Sequence, residues 1–344
     1  MEIKGIEKMT NNMDIHNMIT VMIPTYNRKD SLLKLLGCLK AQTCQEFFVV
    51  ISDNHSNYDV SQALGEYKDF FKGRLKLVIR NANVGSTVNI NGVFELAQTK
   101  WGWLMGDDDF PMPDAVERIY KMLDDDVGAL HFSLYDLGEF IDDHADISSL
   151  NEFIDLFWQM SNGKKEIVNL QGDIIFMSNK VYNLDIMRNY LFVQNNYGYT
   201  KMPQMISILS LLNKKEAKFR VVNSNLVTIS DTSNQSWRMT NIALGMTTFS
   251  HIKYDIDRKQ RKKLNLIMMF KYTHVLRYRL QGEISRYDIG LIYDGIFKRS
   301  LVLKDRIIFN FMMRINPNGI ISKSIVKYKN RHIRLPKARE GSSD

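Results

Sequence analysis

Three consecutive carboxylates, Asp107, Asp108 and Asp109, follow the mostly apolar run Trp101-Gly102-Trp103-Leu104-Met105-Gly106 and lead into the turn Phe110-Pro111-Met112-Pro113. A run of that kind reads as a buried strand, and the acids stand where such a strand opens at a functional edge. Packed carboxylates repel one another, so a cation belongs among them. A divalent metal that also holds a phosphate is the commonest partner for such a set of oxygens. A second triplet, Asp124-Asp125-Asp126, follows a helical pattern instead and reads as a solvated acidic loop.

Upstream lie the elements that must position the first triplet. Ile19-Thr20-Val21-Met22-Ile23 is a β-branched run closed by Pro24-Thr25-Tyr26-Asn27, a strand and then a turn. Asp30 or Ser31 can cap a following helix, in which Leu32, Leu35, Leu36 and Leu39 recur at helical spacing. Phe47-Phe48-Val49-Val50-Ile51 is a second strand, ending in Ser52-Asp53-Asn54-His55. A helical stretch to about Phe71 precedes a third strand, Leu75 to Arg80, and Asn83-Val84-Gly85 turns into a helix that reaches Gln98. Alternation of strand and helix predicts an α/β domain whose mostly parallel sheet carries helices on both faces. Such sheets bind ligands at the carboxyl ends of their strands. Thr25 and Tyr26, Asp53 and Asn54, and Asp107 to Asp109 would then gather along one edge. There is no GxxxxGK[ST] loop, and no GxGxxG follows the first strand. Any phosphate must therefore be held by metal and scattered donors.

The succession Val21-Met22-Ile23-Pro24-Thr25-Tyr26-Asn27-Arg28, Val49-Val50-Ile51-Ser52-Asp53-Asn54-His55-Ser56, Asn83-Val84-Gly85 with Asn89, and Leu104-Met105-Gly106-Asp107-Asp108-Asp109 resembles the family-two glycosyltransferases of the GT-A fold. It is especially similar to bacterial members that build surface polysaccharides, and the match covers residues 18–120. The resemblance implies that Pro24, Thr25 and Tyr26 line a nucleotide pocket, that Asp53 accepts a hydrogen bond from base or ribose, and that Asn83 and Asn89 lie near the donor. It makes the acidic triplet a DxD-type motif, with Asp109 touching Mn²⁺ or Mg²⁺ directly and Asp107 or Asp108 helping with the metal, ribose or water. Many members place an Asp where this chain has Gly106, which leaves open which two carboxylates pair. The activity implied is inverting transfer of a sugar from a nucleotide-diphosphate sugar to an acceptor hydroxyl, the metal stabilising the departing diphosphate and a carboxylate taking the acceptor proton.

Relatives usually carry that base in an acidic pair well beyond the DxD motif, but Asn195 to Ser210 contains no Asp or Glu. Asp173, between Gly172 and an apolar segment that reads as a buried strand, is the first candidate, because a buried acid costs stability unless it is used or paired. Asp231, at the end of a strand from Leu226 to Ser230, is the second. The loop around Trp237 and Arg238 offers an aromatic face for a sugar and a cation for a phosphate. A chain without a base would be a non-catalytic nucleotide-sugar binder.

The chain is 344 residues long and 44% hydrophobic, ample for a sizeable core. It reads as a polar tail (1–17), a GT-A domain (18–252, with a nucleotide-sugar half at 18–120 and an acceptor half at 121–252) and a helical region (253–344). Charge separates these parts: residues 253–344 hold 22 Lys+Arg against 8 Asp+Glu, a net of +14, while residues 1–252 hold 24 against 30, a net of −6. Basic segments interleaved with Phe, Tyr, Ile and Met suit an anionic membrane surface, where a polyprenyl-diphosphate-linked glycan acceptor would reside. A nucleic-acid grip is the rival reading, but no recognisable aromatic-basic module supports it. The start has no apolar leader pattern, and no apolar run approaches the ~20 residues that span a bilayer. Cys38 and Cys44, in a stretch read as helical, point to different faces, which disfavours a disulfide. The expected location is the cytoplasm, peripheral to the membrane's inner face.

Overall fold

A computed structural model describes residues 15–162, 170–229, 245, 248–268, 285–292, 307 and 314. The chain divides into two units, Met1–Asn234 with Tyr254–Ile267, and Gln235–Lys253 with Met268–Asp344. In the second, the described elements are a 3₁₀ turn at Thr248–His251 and the helix Arg286–Ile292.

The first unit is built on strands β1 (Ile19–Thr25), β2 (Phe47–Asp53), β3 (Leu75–Ile79), β4 (Trp101–Leu104), β5 (Asp109–Pro111), β6 (Val127–Phe132), β7 (His144–Ile147), β8 (Lys180–Asn183), β9 (Lys218–Val222) and β10 (Val227–Ile229). Eight of them form one sheet in the order β3-β2-β1-β4-β8-β6-β9-β7. The half carrying the nucleotide motifs, β3-β2-β1-β4, is parallel throughout, as the alternation of strand and helix predicts. β8 runs antiparallel to both its neighbours, and β7 runs antiparallel to β9. β5 and β10 pair outside this sheet, with Asp109 opposite Ile229.

Burial explains these assignments. Every residue of β1 is buried, as a central strand covered on both faces requires, whereas the edge strand β3 has no buried residue. The helix Lys29–Lys40 turns Leu32, Leu35, Leu36 and Leu39 inward, each side chain contributing roughly 1.5–3 kcal/mol on burial. Gly85 precedes the helix Ser86–Leu96 at φ +84°, a left-handed conformation that any Cβ would strain although the space around it is open.

Several local expectations change. The first helix starts at Lys29, so Asp30 and Ser31 lie inside its first turn. Arg28 stands at the cap position, makes no side-chain cap, and sends its side chain elsewhere. The helical stretch before β3 is two pieces, Val60–Ala63 and Glu66–Phe70, parted at Gly65 with φ +45°. Leu170–Ile175, read as a turn into a strand, is a helix with Asp173 inside it. Cys44 lies beyond the end of the first helix rather than within it.

Candidate active site

Parallel register brings the motifs to one edge. Thr25, the last residue of β1, pairs with Asp53, the last of β2, and Met105 N–H, just past β4, donates to Met22 O. The turn that follows delivers the three carboxylates. Thr25 Oγ1 donates to Asp107 Oδ2 at 2.7 Å, which places the acidic triplet against the end of β1. The guanidinium of Arg28 reaches Asp107 Oδ1 at 3.0 Å and Asp108 Oδ2 at 2.5 Å. Ser178 Oγ donates to Asp109 Oδ2 at 2.5 Å and accepts from Gly106 N–H at 2.8 Å.

Gly106 is what lets these acids close up. A Cβ on it would stand 2.8 Å from Asp109 Oδ2 and 3.3 Å from Asp108 Oδ1, so a larger residue here would push into the carboxylates.

The triplet is short of positive charge. Asp107 and Asp109 are each only 6% exposed. Burial pushes the Asp109 carboxyl up to about 7, reinforced by the charges of Asp108 and Asp107. Asp107 rises to about 6, again chiefly by burial, with Arg28 and Thr25 opposing the rise. Asp109, with Oδ1 left over by Ser178, presents a hard oxygen of the kind Mg²⁺ and Mn²⁺ take. Among the described residues no three His, Cys, Asp or Glu side chains converge into a complete metal cage. A cation held here by Asp109 and Asp107 would need further oxygen ligands from outside the protein. The control triplet has a different fate: Asp124, Asp125 and Asp126 pair on the surface with Arg220, Lys100 and Lys218.

The β2 side of the edge is also organised. Asp53 accepts from Ser56 N–H at 3.0 Å and Ser56 Oγ at 2.5 Å. Asn54 donates to Asn83 Oδ1 at 2.8 Å and accepts from Val84 N–H at 3.0 Å, tying the loop after β2 to the turn before Ser86. Asn89 is buried with both ends of its amide engaged by Ser52, and its oxygen also accepts from Arg80 Nε, so it ties the helix Ser86–Leu96 to the ends of β2 and β3. Pro24 is buried in β1, while Tyr26 is 42% exposed at the rim. Burial, then the charges of Asp53 and Asp107, push the Tyr58 hydroxyl up to about 12.

Asp173 sits beside Ser133 and Leu134, just past the carboxyl end of β6. It is 1% exposed and accepts from His131 Nε2 at 3.0 Å, Ser133 Oγ at 3.1 Å, Leu134 N–H at 2.9 Å and Asn179 Nδ2 at 3.0 Å. Burial alone would raise its pKa; its contacts with His131, Leu134 and Lys180 outweigh that and hold it below the usual carboxylate range. Four protein donors thus engage this carboxylate. It holds Asn179, while Lys180 Nζ donates to Phe176 O, and together they fix the turn that presents Ser178. Asp231, Trp237 and Arg238 lie outside the described residues.

Arg28, Ser178 and Tyr58 were not singled out from the sequence. Arg28 did stand in the Thr-Tyr-Asn-Arg motif, which was its only signal. Ser178 meets Gly106 across 72 positions of chain and has none.

Taken together, a mixed sheet with a parallel nucleotide half and an acidic triplet at its carboxyl edge is the GT-A class of α/β fold. Residues 20–181 match the model of Glycosyl transferase family 2. The chain is 27% identical over 140 residues to an uncharacterised glycosyltransferase of Methanocaldococcus jannaschii, covering 40% of this chain and 46% of that protein. It is 25% identical over 107 residues to an uncharacterised glycosyltransferase of Haemophilus influenzae, covering 31% of this chain and 35% of that protein. The matches thus span less than half the length of either relative. Among solved structures, S. aureus TarS 1-349 in complex with UDP-GlcNAc is similar with a TM-score of 0.59 and 14% identity, covering 92% of this chain and 93% of that one. The complex of the same protein with UDP has a TM-score of 0.56. These likenesses establish a shared fold.

Proposed function

We propose that this chain is an inverting glycosyltransferase that moves a sugar from a nucleotide-diphosphate sugar to an acceptor hydroxyl. The observation that carries the reading is the gathering of Asp107, Asp108 and Asp109 against Thr25 at the carboxyl edge, beside Asp53. A bound Mn²⁺ or Mg²⁺ would stabilise charge on the departing diphosphate. Asp109 holds it together with Asp107; Asp108 and Asp53 serve the ribose and base, with Pro24, Thr25 and Tyr26 lining the pocket and Asn83 and Asn89 supporting it. UDP and UDP-GlcNAc, bound by TarS, favour a uridine nucleotide as the first donor to try.

For the base, the sealed position of Asp173 favours Asp231. Trp237 and Arg238 then lie on the acceptor side of the sequence. The acceptor is a polyprenyl-diphosphate-linked glycan in surface-polysaccharide synthesis, approached through the cationic stretch from Lys253 onward at the cytoplasmic face of the membrane. Among the described residues no helix is long and apolar enough to cross a bilayer.

A second reading, a nucleotide-sugar binder without catalysis, draws on the absence of Asp and Glu from Asn195 to Ser210. Thermal shift with a panel of UDP- and GDP-sugars, with and without Mn²⁺, tests the shared part of both. The melting temperature is expected to rise with one donor class and more so with Mn²⁺; no shift with any donor would overturn donor binding.

A further inference from the structure

Arg28 occupies a place the proposed chemistry needs for something else. Its guanidinium forks between Asp107 and Asp108 at 3.0 and 2.5 Å, and its side chain is only 19% exposed. The backbone that carries it is pinned. Asn27, at φ +54°, donates its N–H to Ser56 Oγ at 2.8 Å, and its side-chain oxygen accepts from Asn57 N–H at 2.8 Å. Arg28 N-terminally flanks the helix Lys29–Lys40 without capping it, so helix formation does not consume its side chain. A fixed base and a long side chain let the guanidinium change partners while the fold stays as it is.

We infer that Arg28 is a resident counter-cation: it neutralises Asp107 and Asp108 while the site is free, and it transfers to the donor's diphosphate when a divalent cation arrives. This rests on the metal-and-donor reading above. Two cations beside the same carboxylates repel, and the anion that enters with the metal is the partner a guanidinium binds bidentately. Metal without donor must displace Arg28 into solvent; metal with donor gives it a phosphate. The two ligands therefore bind cooperatively, and Arg28 is the residue that couples them.

The test is a Mn²⁺ titration followed by electron paramagnetic resonance of the free ion, on wild type, Arg28→Gln, Arg28→Lys and Asp109→Asn, each without nucleotide and with UDP or GDP. Arg28→Gln is expected to bind Mn²⁺ alone about tenfold more tightly than wild type and to lose most of the enhancement that nucleotide gives. Arg28→Lys keeps the charge but cannot fork across two carboxylates, and should fall between the two. Its melting curve, beside that of Arg28→Gln, checks that both variants are folded. Folded Arg28 variants that bind Mn²⁺ no more tightly than wild type would overturn the inference. If in that case Asp109→Asn still abolishes binding, the metal site stands and only the role of Arg28 falls. If Asp109→Asn binds Mn²⁺ like wild type, both fall.

Discussion

At the scale of single residues, the site turns on how closely three carboxylates can be held. Gly106 supplies the room, Ser178 fixes Asp109 and the amide of residue 106 at once, and Thr25 fixes Asp107. Gly106→Ala puts a methyl 2.8 Å from Asp109 Oδ2, and the carboxylate must move. Such a displacement is expected to cut donor turnover by about a hundredfold while the melting temperature changes little. Steady-state kinetics on a folded variant check this, and turnover equal to wild type would show that Asp109 need not sit where it does. Thr25, Asp53 and Asp107 were legible in the sequence because each is the polar end of an apolar strand. Ser178 was not, because its partners Gly106 and Asp109 are set by tertiary packing and leave no local spacing to read.

At the scale of elements, the strands of the parallel half were legible because β1 and β2 are continuous apolar runs between turn residues, as a doubly covered strand requires, whereas the helix boundaries between them were not. Beyond β4 the pattern fails for physical reasons. The helix Leu170–Ile175 is too short to show a period, and Gly172 within it read as a turn. The antiparallel strands there are short and depend on side-chain ties for their place. Asp146 on β7 is one such tie: Arg220 on β9 binds both its oxygens, at 2.6 and 2.8 Å. That hydrogen bonding holds the Asp146 carboxyl below its ordinary range. A depressed carboxylate stabilises the fold above its unfolded pKa, near 3.9, and that stabilisation is lost as pH falls through the lower folded value. Asp146→Asn is therefore expected to melt below wild type at pH 7, with the gap narrowing as pH falls below about 4. A gap independent of pH between 7 and 3 would mean the pair contributes through packing rather than charge.

At the scale of the whole chain, charge separates what composition alone cannot: a net of −6 on residues 1–252 and +14 on residues 253–344. The helix Arg258–Met268 shows how part of that charge is presented. Leu264, Ile267 and Met268 are buried, so its apolar side is already taken up, while Arg258, Lys259 and Lys262 are exposed and Lys263 pairs with Asp155 at 2.7 Å. Attraction of such cations to anionic lipid is worth about 1 kcal/mol each and is screened by salt. The protein is expected to float with phosphatidylglycerol vesicles at low ionic strength and to be released as salt rises. If it remains in solution at low ionic strength, membrane recruitment is wrong.

The measurement that bears most directly on function is nucleotide release from the donor selected by thermal shift, with Mn²⁺ present or chelated, in wild type and Asp109→Ala. Wild type should turn over only with the cation, and Asp109→Ala should lose about a hundredfold or more in rate while remaining folded, as removal of a group that supports transition-state charge does. Equal rates in the two proteins, or release indifferent to chelation, would contradict a role for the acidic edge in holding an activated sugar.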